Sequence, residues 1–297
     1  MISRRTLLKG MGGLALGAAG LGSYALAIEP GFMLEVTRYR LRPQGWPTGL
    51  TLKVAILADM HACEPYMGAR RIAKIARLAN GFEADLIVLL GDFNGGHRFV
   101  TRAVPPLEWA EALAALRAPL GVHAILGNHD WWHGPVPGTP AQEAEPVRHA
   151  LRAMGATVYE NDVARLEKDG RAFWLAGLGD QIAIKTGRHT FRGLDDLDRV
   201  MGQIVDDAPV ILMAHEPAIF ARVPERVAVT LCGHTHGGQV NLPIFGPVVA
   251  ERRFGVDFVY GHHQDGARHL IVSAGLGESI APVRFMRPPE LVELTIG

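Results

Sequence analysis

Cysteine is scarce in this chain, with only Cys63 and Cys232 among 297 residues. This scarcity excludes the disulfide framework that holds many small secreted domains together, although a single bridge between the two residues stays open. Stability must therefore come from a hydrophobic core, and 48% of the residues are hydrophobic, which is enough for one large core at this length. We expect each cysteine to be a small buried side chain.

The chain also lacks net charge, since 30 Lys and Arg residues balance 30 Asp and Glu residues. Without a long-range positive field, nucleic acid is not an expected partner. The sequence has no internal repeat, no coiled-coil heptads and, beyond an N-terminal leader, no low-complexity stretch that would mark a linker. We predict two parts: a signal segment at residues 1–27 and a single catalytic domain at residues 28–297.

The leader has the order of an export signal. Its basic start, Ser3-Arg4-Arg5-Thr6-Leu7-Leu8-Lys9, is followed by a run rich in Gly, Ala and Leu and by a small-residue close at Ala25-Leu26-Ala27. The start resembles the twin-arginine signal, with Leu7 where Phe is more usual, and implies the twin-arginine export machinery as a partner. We predict delivery to the periplasm or cell envelope, with cleavage after Ala27. The alternative is a weak N-terminal anchor, which the many Gly and Ala residues disfavour.

Apolar runs alternate with helical patterns in the first half of the domain. Runs at residues 52–58, 86–90 and 122–126 read as buried strands, and residues 68–80 and 107–116 have helical spacing. Such alternation is typical of parallel strands joined by crossover helices. The second half adds one helical pattern near residues 194–205 and further strand-like runs at residues 157–159, 164–168, 172–178, 210–214, 227–232, 258–260, 269–274 and 291–296.

The number of predicted strands is larger than a single sheet usually contains. We therefore predict an α/β fold in which two packed mixed β-sheets are flanked by helices, a four-layer α/β/β/α sandwich.

Short polar fragments follow the apolar runs and carry the chemistry. In chain order they are Asp59-Met60-His61, Gly91-Asp92, Gly127-Asn128-His129-Asp130, His215 and Gly233-His234-Thr235-His236-Gly237-Gly238-Gln239. Strand ends meet at one edge of an α/β sheet, so these fragments should come together there. Residues two apart on an extended segment project to the same side, so Asp59 with His61, and His234 with His236, can each aim two ligands at one cavity. Gly-Asp also occurs at Gly179-Asp180, for which we predict no metal role.

Oxygen and imidazole ligands of this kind suit two divalent metal ions, with Mn, Zn, Fe and Co as open alternatives. Asp92 can bridge both ions with its two oxygens, and Asn128 adds a neutral carbonyl oxygen. Two ions about 3.5–4 Å apart can clamp a phosphoryl group and provide a metal-activated hydroxide for in-line attack. His129, next to Asn128 and not needed as a ligand, is the predicted proton donor to the leaving group.

The ordered fragments resemble the calcineurin-like metallophosphoesterase superfamily. The resemblance implies that one ion is held by Asp59, His61, Asp92 and His236, and that the other is held by Asp92, Asn128, His215 and His234. It also implies the proton-donor role of His129. No ligand position of the family pattern is missing.

Sequence differences from two other branches of the superfamily disfavour a protein phosphatase and a purple acid phosphatase. Protein phosphatases of the superfamily continue Gly-Asp with Asp-Arg-Gly and use Gly-Asn-His-Glu, whereas this chain has Phe93-Asn94-Gly95 and Asp130. Purple acid phosphatases need a tyrosine at the position of Gly95. The chain instead resembles exported bacterial phosphodiesterases of the YkuE and YaeI type.

We therefore predict an exported, binuclear-metal-dependent phosphoesterase that hydrolyses phosphodiester or pyrophosphate bonds of an envelope or lipid-linked substrate. One alternative is a UDP-2,3-diacylglucosamine pyrophosphohydrolase of lipid A synthesis, whose cytoplasmic substrate conflicts with export unless the leader remains as an inward-facing anchor. Another alternative is an inactive envelope-binding scaffold, but such a protein should have lost metal ligands.

Several further residues are candidates for substrate or membrane contact, each with ordinary packing or solvation as the alternative. Trp131 and Trp132 could line an apolar groove or touch a bilayer, on a loop that runs through Gly134-Pro135-Val136-Pro137. The basic residues of the first domain helix could meet anionic head groups, and four others could contact phosphate. The helix residues are Arg70, Arg71, Lys74 and Arg77, and the phosphate candidates are His97, Arg98, Arg284 and Arg287.

Overall fold

A computed structural model describes residues 3–95, 97, 99–132, 140–247 and 258–297 of the chain. Two six-stranded β-sheets contain twelve strands, numbered β1 to β12 in chain order. The first sheet consists of β1 Glu35–Leu41, β2 Leu52–Leu57, β3 Leu86–Leu90, β4 Val122–Ile125, β5 Thr157–Val158 and β12 Glu290–Ile296. The second consists of β6 Asp162–Lys168, β7 Arg171–Gly177, β8 Val210–Met213, β9 Val227–Cys232, β10 Gly261–Asp265 and β11 Arg268–Val272.

Both sheets are mixed, as predicted. The first has the order β1-β12-β2-β3-β4-β5, with β2 to β5 parallel and β12 antiparallel to β2. The second has the order β10-β11-β9-β8-β7-β6, with a parallel centre and antiparallel edge strands β10 and β6. The central strands of each sheet are therefore parallel, and their carboxyl ends carry the polar fragments.

The hydrophobic core lies between the two sheets and on their outer faces. Leu86, Val88 and Leu90 of β3 face the second sheet, whereas the intervening Ile87 and Leu89 face the helices. A strand buried on both faces reads as a continuous apolar run, which is why β3 was predictable from sequence. Each such side chain contributes about 1.5–3 kcal/mol when it is fully buried.

The helices complete the predicted four layers. They are α1 Arg4–Ser23, α2 Glu29–Phe32, α3 Ala69–Asn80, α4 Pro106–Leu113, α5 Asn128–Trp132, α6 Pro140–Ala153 and α7 Leu197–Gly202. Residues of α3, α4 and α6 cover the outer face of the first sheet, and residues of α7 and the 3-10 helix Pro217–Ala221 cover that of the second. The apolar spacing of Ile72, Ile75 and Ala79 in α3 is the amphipathic pattern that predicted this helix.

Three local features differ from the sequence-based expectation. Helix α6 was not predicted. It contains Pro146 in its interior, where proline disfavours a helix, and burial of Val147 and Leu151 offsets that cost. Residues 258–260 are not a strand, since the edge strand β10 begins at Gly261. Both cysteines are buried and free, so the bridge that sequence left open does not form.

The leader is helical from Arg4 to Phe32, with a π-helical turn Tyr24–Ile28 between α1 and α2. This 29-residue helix is long and apolar enough to cross a membrane by length and composition alone. A signal sequence meets the same criterion, so the helix by itself does not distinguish the two.

Three short two-stranded ribbons complete the described structure. They pair Cys63–Glu64 with Arg102–Ala103, Ile184–Lys185 with Phe191–Arg192, and Asn241–Leu242 with Gly246–Pro247.

Candidate metal centre

The polar fragments converge at the carboxyl ends of the central parallel strands. Asp59 follows β2 and Asp92 follows β3 in the first sheet, whereas His215 follows β8 and His234 follows β9 in the second. The backbone N–H of His234 donates to Asp59 Oδ1 at 2.7 Å, which joins the two sheets at this edge. The site therefore lies where both sheets end, as the strand-end placement predicted.

The side chains form two groups that share one carboxylate. In the first group, one ligand atom from each residue lies within 4.8 Å of the others; its members are Asp59, His61, Asp92 and His236. In the second, the same holds for Asp92, His215 and His234. Asp92 Oδ2 lies 3.3 Å from His61 Nε2 and 3.2 Å from His215 Nε2, so this oxygen stands between the two groups.

Backbone carbonyls orient three of the imidazoles. The Nδ1 atom of His61 lies 3.1 Å from Asn94 O, that of His236 lies 3.1 Å from Gly277 O, and that of His215 lies 2.7 Å from Leu90 O. Because a carbonyl oxygen only accepts, each Nδ1 carries the proton. The Nε2 atoms are therefore the ones that can bind a metal ion, which is how proteins commonly orient a metal-binding histidine.

The geometry of these atoms fits metal ions. His61 Nε2 and His236 Nε2 lie 3.0 Å apart, a distance at which a shared proton or a metal ion must lie between the two nitrogens. Within the described part of the chain, the buried atoms Asp59 Oδ2, Asn128 Oδ1 and His215 Nε2 also have no hydrogen-bond partner. Buried polar atoms rarely lack partners, and divalent cations satisfy such a set.

Electrostatics favours the metal-binding form of two candidate ligands and opposes it at two others. Burial alone would lower the pKa of His61 and of His215, but the Asp92 carboxylate raises both, so an ion that binds there displaces a proton. Burial alone would raise the pKa of Asp92, but nearby His215 and His129 bring it well below its usual range, so the carboxyl group is ionised. Burial, His61 and Arg284 lower the pKa of His236 well below its usual range, so its imidazole is neutral. Asp92 and His236 are held in the protonation state that binds a cation.

Left-handed backbone conformations aim the ligands. Asp59, His61, Asp92, His234 and His236 all have positive φ, between 44° and 71°. Non-glycine residues seldom adopt this region, and each such residue costs of the order of 1–3 kcal/mol. Strain concentrated on ligands in this way is typical of a functional site held by its surroundings.

Close packing around the ligands requires glycine at one strand end in particular. A Cβ atom on Gly127 would lie 2.6 Å from His215 Cε1 and would also collide with Asp92 Oδ1. The glycine that precedes Asn128 thus allows the ligands of the two sheets to approach each other.

Asp130 is a functional residue to which sequence reasoning assigned no role. Its buried carboxylate accepts the backbone N–H groups of Asp92 and Gly127 on Oδ2, at 2.9 Å each, and those of Phe93 and Asn94 on Oδ1, at 2.9 and 3.1 Å. Asp130 thereby fixes the loop that presents Asp92. Its only sequence signal was its position two residues after a ligand.

His129 lies at the rim of the site. Its backbone N–H donates to Asp92 Oδ1 at 2.8 Å, and its half-buried ring lies edge-on to His61 with 4.7 Å between ring centroids. The Nε2 atom lies 3.3 Å from Ser279 Oγ. The fold therefore places a half-buried histidine beside the shared carboxylate and against His61, and brings to it a serine that sequence reasoning missed.

The secondary candidates divide into packing residues and residues at the site. Trp131 is buried in the core, whereas Trp132 is half-buried with its ring centroid 5.5 Å from that of His129. His97 is also buried, with its Nε2 atom 3.8 Å from Cys63 Sγ, which is packing. Arg98 and residues 134–137 lie outside the described residues.

Arg284 and Arg287 pack next to the segment that contains His234 and His236. Arg284 is fully buried and donates to the carbonyls of Ala274, Gly275 and Gly277, of which the last accepts from His236. It is therefore a positioning residue, where a phosphate contact had been one expectation. The Arg287 guanidinium lies 3.8 Å over the Tyr260 ring, and its chain occupies the space that a Cβ on Gly237 would need.

A third cluster adjoins the site. Ligand atoms of Asp180, His215 and Glu216 lie within 4.8 Å of one another, and both carboxyl groups are buried. Burial and Glu216 raise the pKa of Asp180 well above its usual range. Because His215 already faces Asp92, these two carboxyl groups border the second metal group, although Gly179-Asp180 carried no prediction of a role.

Residues 52–264 match the calcineurin-like phosphoesterase family. The chain belongs to this family. It is 33% identical to YkuE of Bacillus subtilis, described as an uncharacterized metallophosphoesterase, over 99% of this chain and 98% of that protein. It is 28% identical to the phosphodiesterase YaeI of Escherichia coli over the full length of both. It is also 29% identical to a bovine transmembrane protein with a metallophosphoesterase domain, over 70% of this chain and 44% of that protein.

Membership confirms the predicted superfamily and reaction class. The chain is a metal-dependent phosphoric ester hydrolase, and its clustered Asp and His residues can hold the two metal ions of this family.

Proposed function

We propose that this enzyme would hold two divalent ions and that Asp92 would belong to both sets of ligands. The observation that carries the proposal is that Asp92 Oδ2 lies 3.3 Å from His61 Nε2 and 3.2 Å from His215 Nε2. The proposed ligands of one ion are Asp59, His61, Asp92 and His236, and those of the other are Asp92, Asn128, His215 and His234. The ligand types accept Mn, Zn, Fe or Co.

His129 is the proposed proton donor to the leaving group. Two bound divalent ions supply electrostatic stabilisation of the phosphoryl oxygens and activation of water. The protein must then deliver a proton to the departing oxygen, and His129 is a titratable group at the rim of the site. Its N–H bond to Asp92 fixes its backbone, and contact with Ser279 orients its ring.

The proposed substrate is a phosphodiester or pyrophosphate of the cell envelope, including lipid-linked forms. The leader at residues 1–27 resembles a twin-arginine export signal and would deliver a domain spanning residues 28–297 to the periplasm or cell envelope. Two similarities support this assignment: YaeI is named a phosphodiesterase, and the bovine relative is named a transmembrane protein. The presence of every expected ligand weighs against an inactive envelope-binding scaffold.

The test compares substrates after loading with each metal in turn. Bis(p-nitrophenyl) phosphate should turn over faster than p-nitrophenyl phosphate, and a lipid-linked pyrophosphate should be cleaved at its phosphorus–oxygen bond. UDP-2,3-diacylglucosamine is a separate arm, and its hydrolysis as the preferred substrate would favour the lipid A alternative. Absence of turnover in all arms, with two ions confirmed bound, contradicts the proposal.

A ligand variant with a matched control completes this test. Asp92→Asn should weaken the binding of both ions by more than tenfold, since the bridging negative charge is lost. Asp207→Asn, at an exposed position, should leave metal content and turnover unchanged.

A further inference from the structure

The end of the leader is hydrogen-bonded to the catalytic domain. Glu29 is fully buried, and its carboxylate accepts the backbone N–H groups of Met286 at 3.0 Å and Arg287 at 2.6 Å. In return, the backbone N–H of Arg284 donates to Ala25 O at 2.9 Å. We call residues 24–33 the leader junction. A buried carboxylate would be costly without these donors, so the junction is stable only against the domain.

Arg71 holds the other side of the junction. Its guanidinium donates to the carbonyls of Pro30 at 2.5 Å, Gly31 at 2.8 Å and Met33 at 3.0 Å. The last carbonyls of a helix have no partner within the helix, and here an arginine of α3 supplies one. Arg71 therefore lies apart from the solvated basic face of α3, to which sequence had assigned it.

The same contacts conflict with the expected cleavage after Ala27. A processing protease needs an extended and accessible chain, whereas Ala25 and Leu26 lie in a helical turn and their carbonyls accept from Arg284 and from the Tyr66 hydroxyl. The residues that follow, Glu29 and Pro30, are buried.

The helix that precedes the junction has the features of a membrane span. This helix, α1, has 20 residues and extends about 30 Å at about 1.5 Å per residue, which matches the roughly 30 Å of a hydrocarbon core. Large apolar side chains of α1 are exposed, among them Leu14 at 77% and Leu16 at 76%. Its charged residues, Arg4, Arg5 and Lys9, lie at the start, which favours a cytoplasmic N-terminus and an external domain.

Exposed apolar side chains, which we call the apolar rim, lie on the leader junction and on the domain segments near it. The rim comprises Phe32, Ile244, Phe245, Ile280 and Met286, exposed by 84%, 101%, 81%, 73% and 51%. Neighbouring hydrogen bonds connect its members: Glu29 to Met286, Asn241 N–H to Phe285 O at 2.8 Å, and Ser279 N–H to Gln239 Oε1 at 2.7 Å. Ile280 directly follows Ser279, which contacts His129, so this part of the rim adjoins the metal centre.

We propose that the leader is retained as a membrane anchor and that the apolar rim docks the metal centre onto a lipid bilayer. A spanning helix bound to the domain through the junction keeps the rim at the membrane surface. The exposed basic residues Arg70, Lys74 and Arg77 on α3, the helix that carries Arg71, would meet anionic head groups. This inference rests on the proposed function for its lipid-borne substrate. Docking itself can be measured without measuring turnover.

The first experiment examines leader retention in an exporting bacterium that expresses the full chain. Intact mass measurement should show the leader still attached, with the protein in the membrane fraction after a high-salt wash. Glu29→Ala should release cleaved protein to the soluble fraction, whereas Glu35→Ala, at an exposed position, should not. Soluble wild-type protein cleaved after Ala27 overturns the anchor, and an unchanged Glu29→Ala variant overturns the role of the junction.

The second experiment measures docking of the rim. Because Cys63 and Cys232 are buried, a surface cysteine can be labelled selectively in the folded protein. Full-length Phe245→Cys and Ile244→Cys variants receive an environment-sensitive fluorophore and are reconstituted in vesicles of phosphatidylethanolamine and phosphatidylglycerol. Val205→Cys is the control, since Val205 is 83% exposed and precedes β8, at the sheet edge opposite the metal centre.

Spin-labelled lipid should quench the fluorophores at 244 and 245, and aqueous iodide should quench them several-fold less than the fluorophore at 205. Equal iodide quenching at all three positions overturns docking, whatever the protein hydrolyses. Conversely, loss of turnover with intact lipid quenching would contradict the proposed function and leave docking in place.

Discussion

Asp130 offers a sharp test of how the metal centre is built. In Asp130→Asn, one carboxylate oxygen becomes an NH₂ group that cannot accept. Two of the four backbone N–H groups from Asp92, Phe93, Asn94 and Gly127 then lose their acceptor and face a donor instead. A buried donor left without a partner costs about 1–3 kcal/mol, so the free energy of unfolding should fall by about 2–6 kcal/mol.

The assay is urea unfolding of metal-free protein at pH 8. Burial and the adjacent Asp92 raise the pKa of Asp130 to about 7, so its carboxyl group is ionised at this pH. Asp207→Asn, with the same chemical change at an exposed position, should shift the free energy of unfolding by less than about 0.5 kcal/mol. Metal affinity, measured against a chelator, should fall by about 10–100-fold in Asp130→Asn, because the loop that presents Asp92 is no longer held.

The refuting result is an Asp130→Asn protein whose stability and metal affinity both match those of the Asp207→Asn control. Such a protein would show that the four hydrogen bonds do not hold the loop. A loss of stability without a loss of metal affinity would separate the folding role from the positioning role.

Three further changes test other parts of the site and core. His129→Ala should retain both ions yet slow substrates with poor leaving groups most, by about 100-fold or more, and loss of metal would contradict its assignment as proton donor. Gly127→Ala should destabilise the protein by about 1–3 kcal/mol in urea unfolding, because its Cβ would lie 2.6 Å from His215 Cε1. The control Gly202→Ala meets no atom within 4 Å and should be neutral or stabilising. Burial lowers the pKa of His123, and the imidazole is neutral when its Nδ1 accepts a hydrogen bond from the Tyr159 hydroxyl. Because the unfolded chain binds a proton here more readily than the folded protein does, the free energy of unfolding should decrease as the pH falls below about 6.5. His123→Gln should reduce the pH dependence between pH 7.5 and 5 in urea unfolding, and an unchanged slope would exclude this residue as its source.

Much of the site was predictable because its ligands belong to local patterns. Asp92 follows a continuous apolar strand and a glycine, and such a strand end can be recognised without its neighbours. Asp130 could not be assigned in this way, because three of its four hydrogen bonds reach a loop that is 36 to 38 residues earlier in the chain. Helix α6 was missed for a related reason, since burial of Val147 and Leu151 outweighs the local effect of Pro146.

In the leader, too, some features follow from local sequence patterns and others depend on contacts with distant residues. Its basic start, apolar middle and small-residue close predict export from composition and order alone, and the same pattern predicts cleavage after Ala27. The contacts of Glu29 and Arg71 depend on residues 257 and 41 positions away in the chain, and no local pattern marks them.

By itself, the amino-acid sequence predicted the reaction class, the proposed ligand residues and the two-sheet architecture, because strand ends, glycines and ligand spacing are short-range features. Only the tertiary structure decided which imidazole nitrogen of each of three histidines faces the candidate site and that a single oxygen of Asp92 lies between His61 and His215. His234 N–H reaches Asp59 Oδ1 across 175 residues. Contacts between residues so far apart in the sequence arise from sheet packing, which brings together groups whose distance in space cannot be read from their positions in the chain.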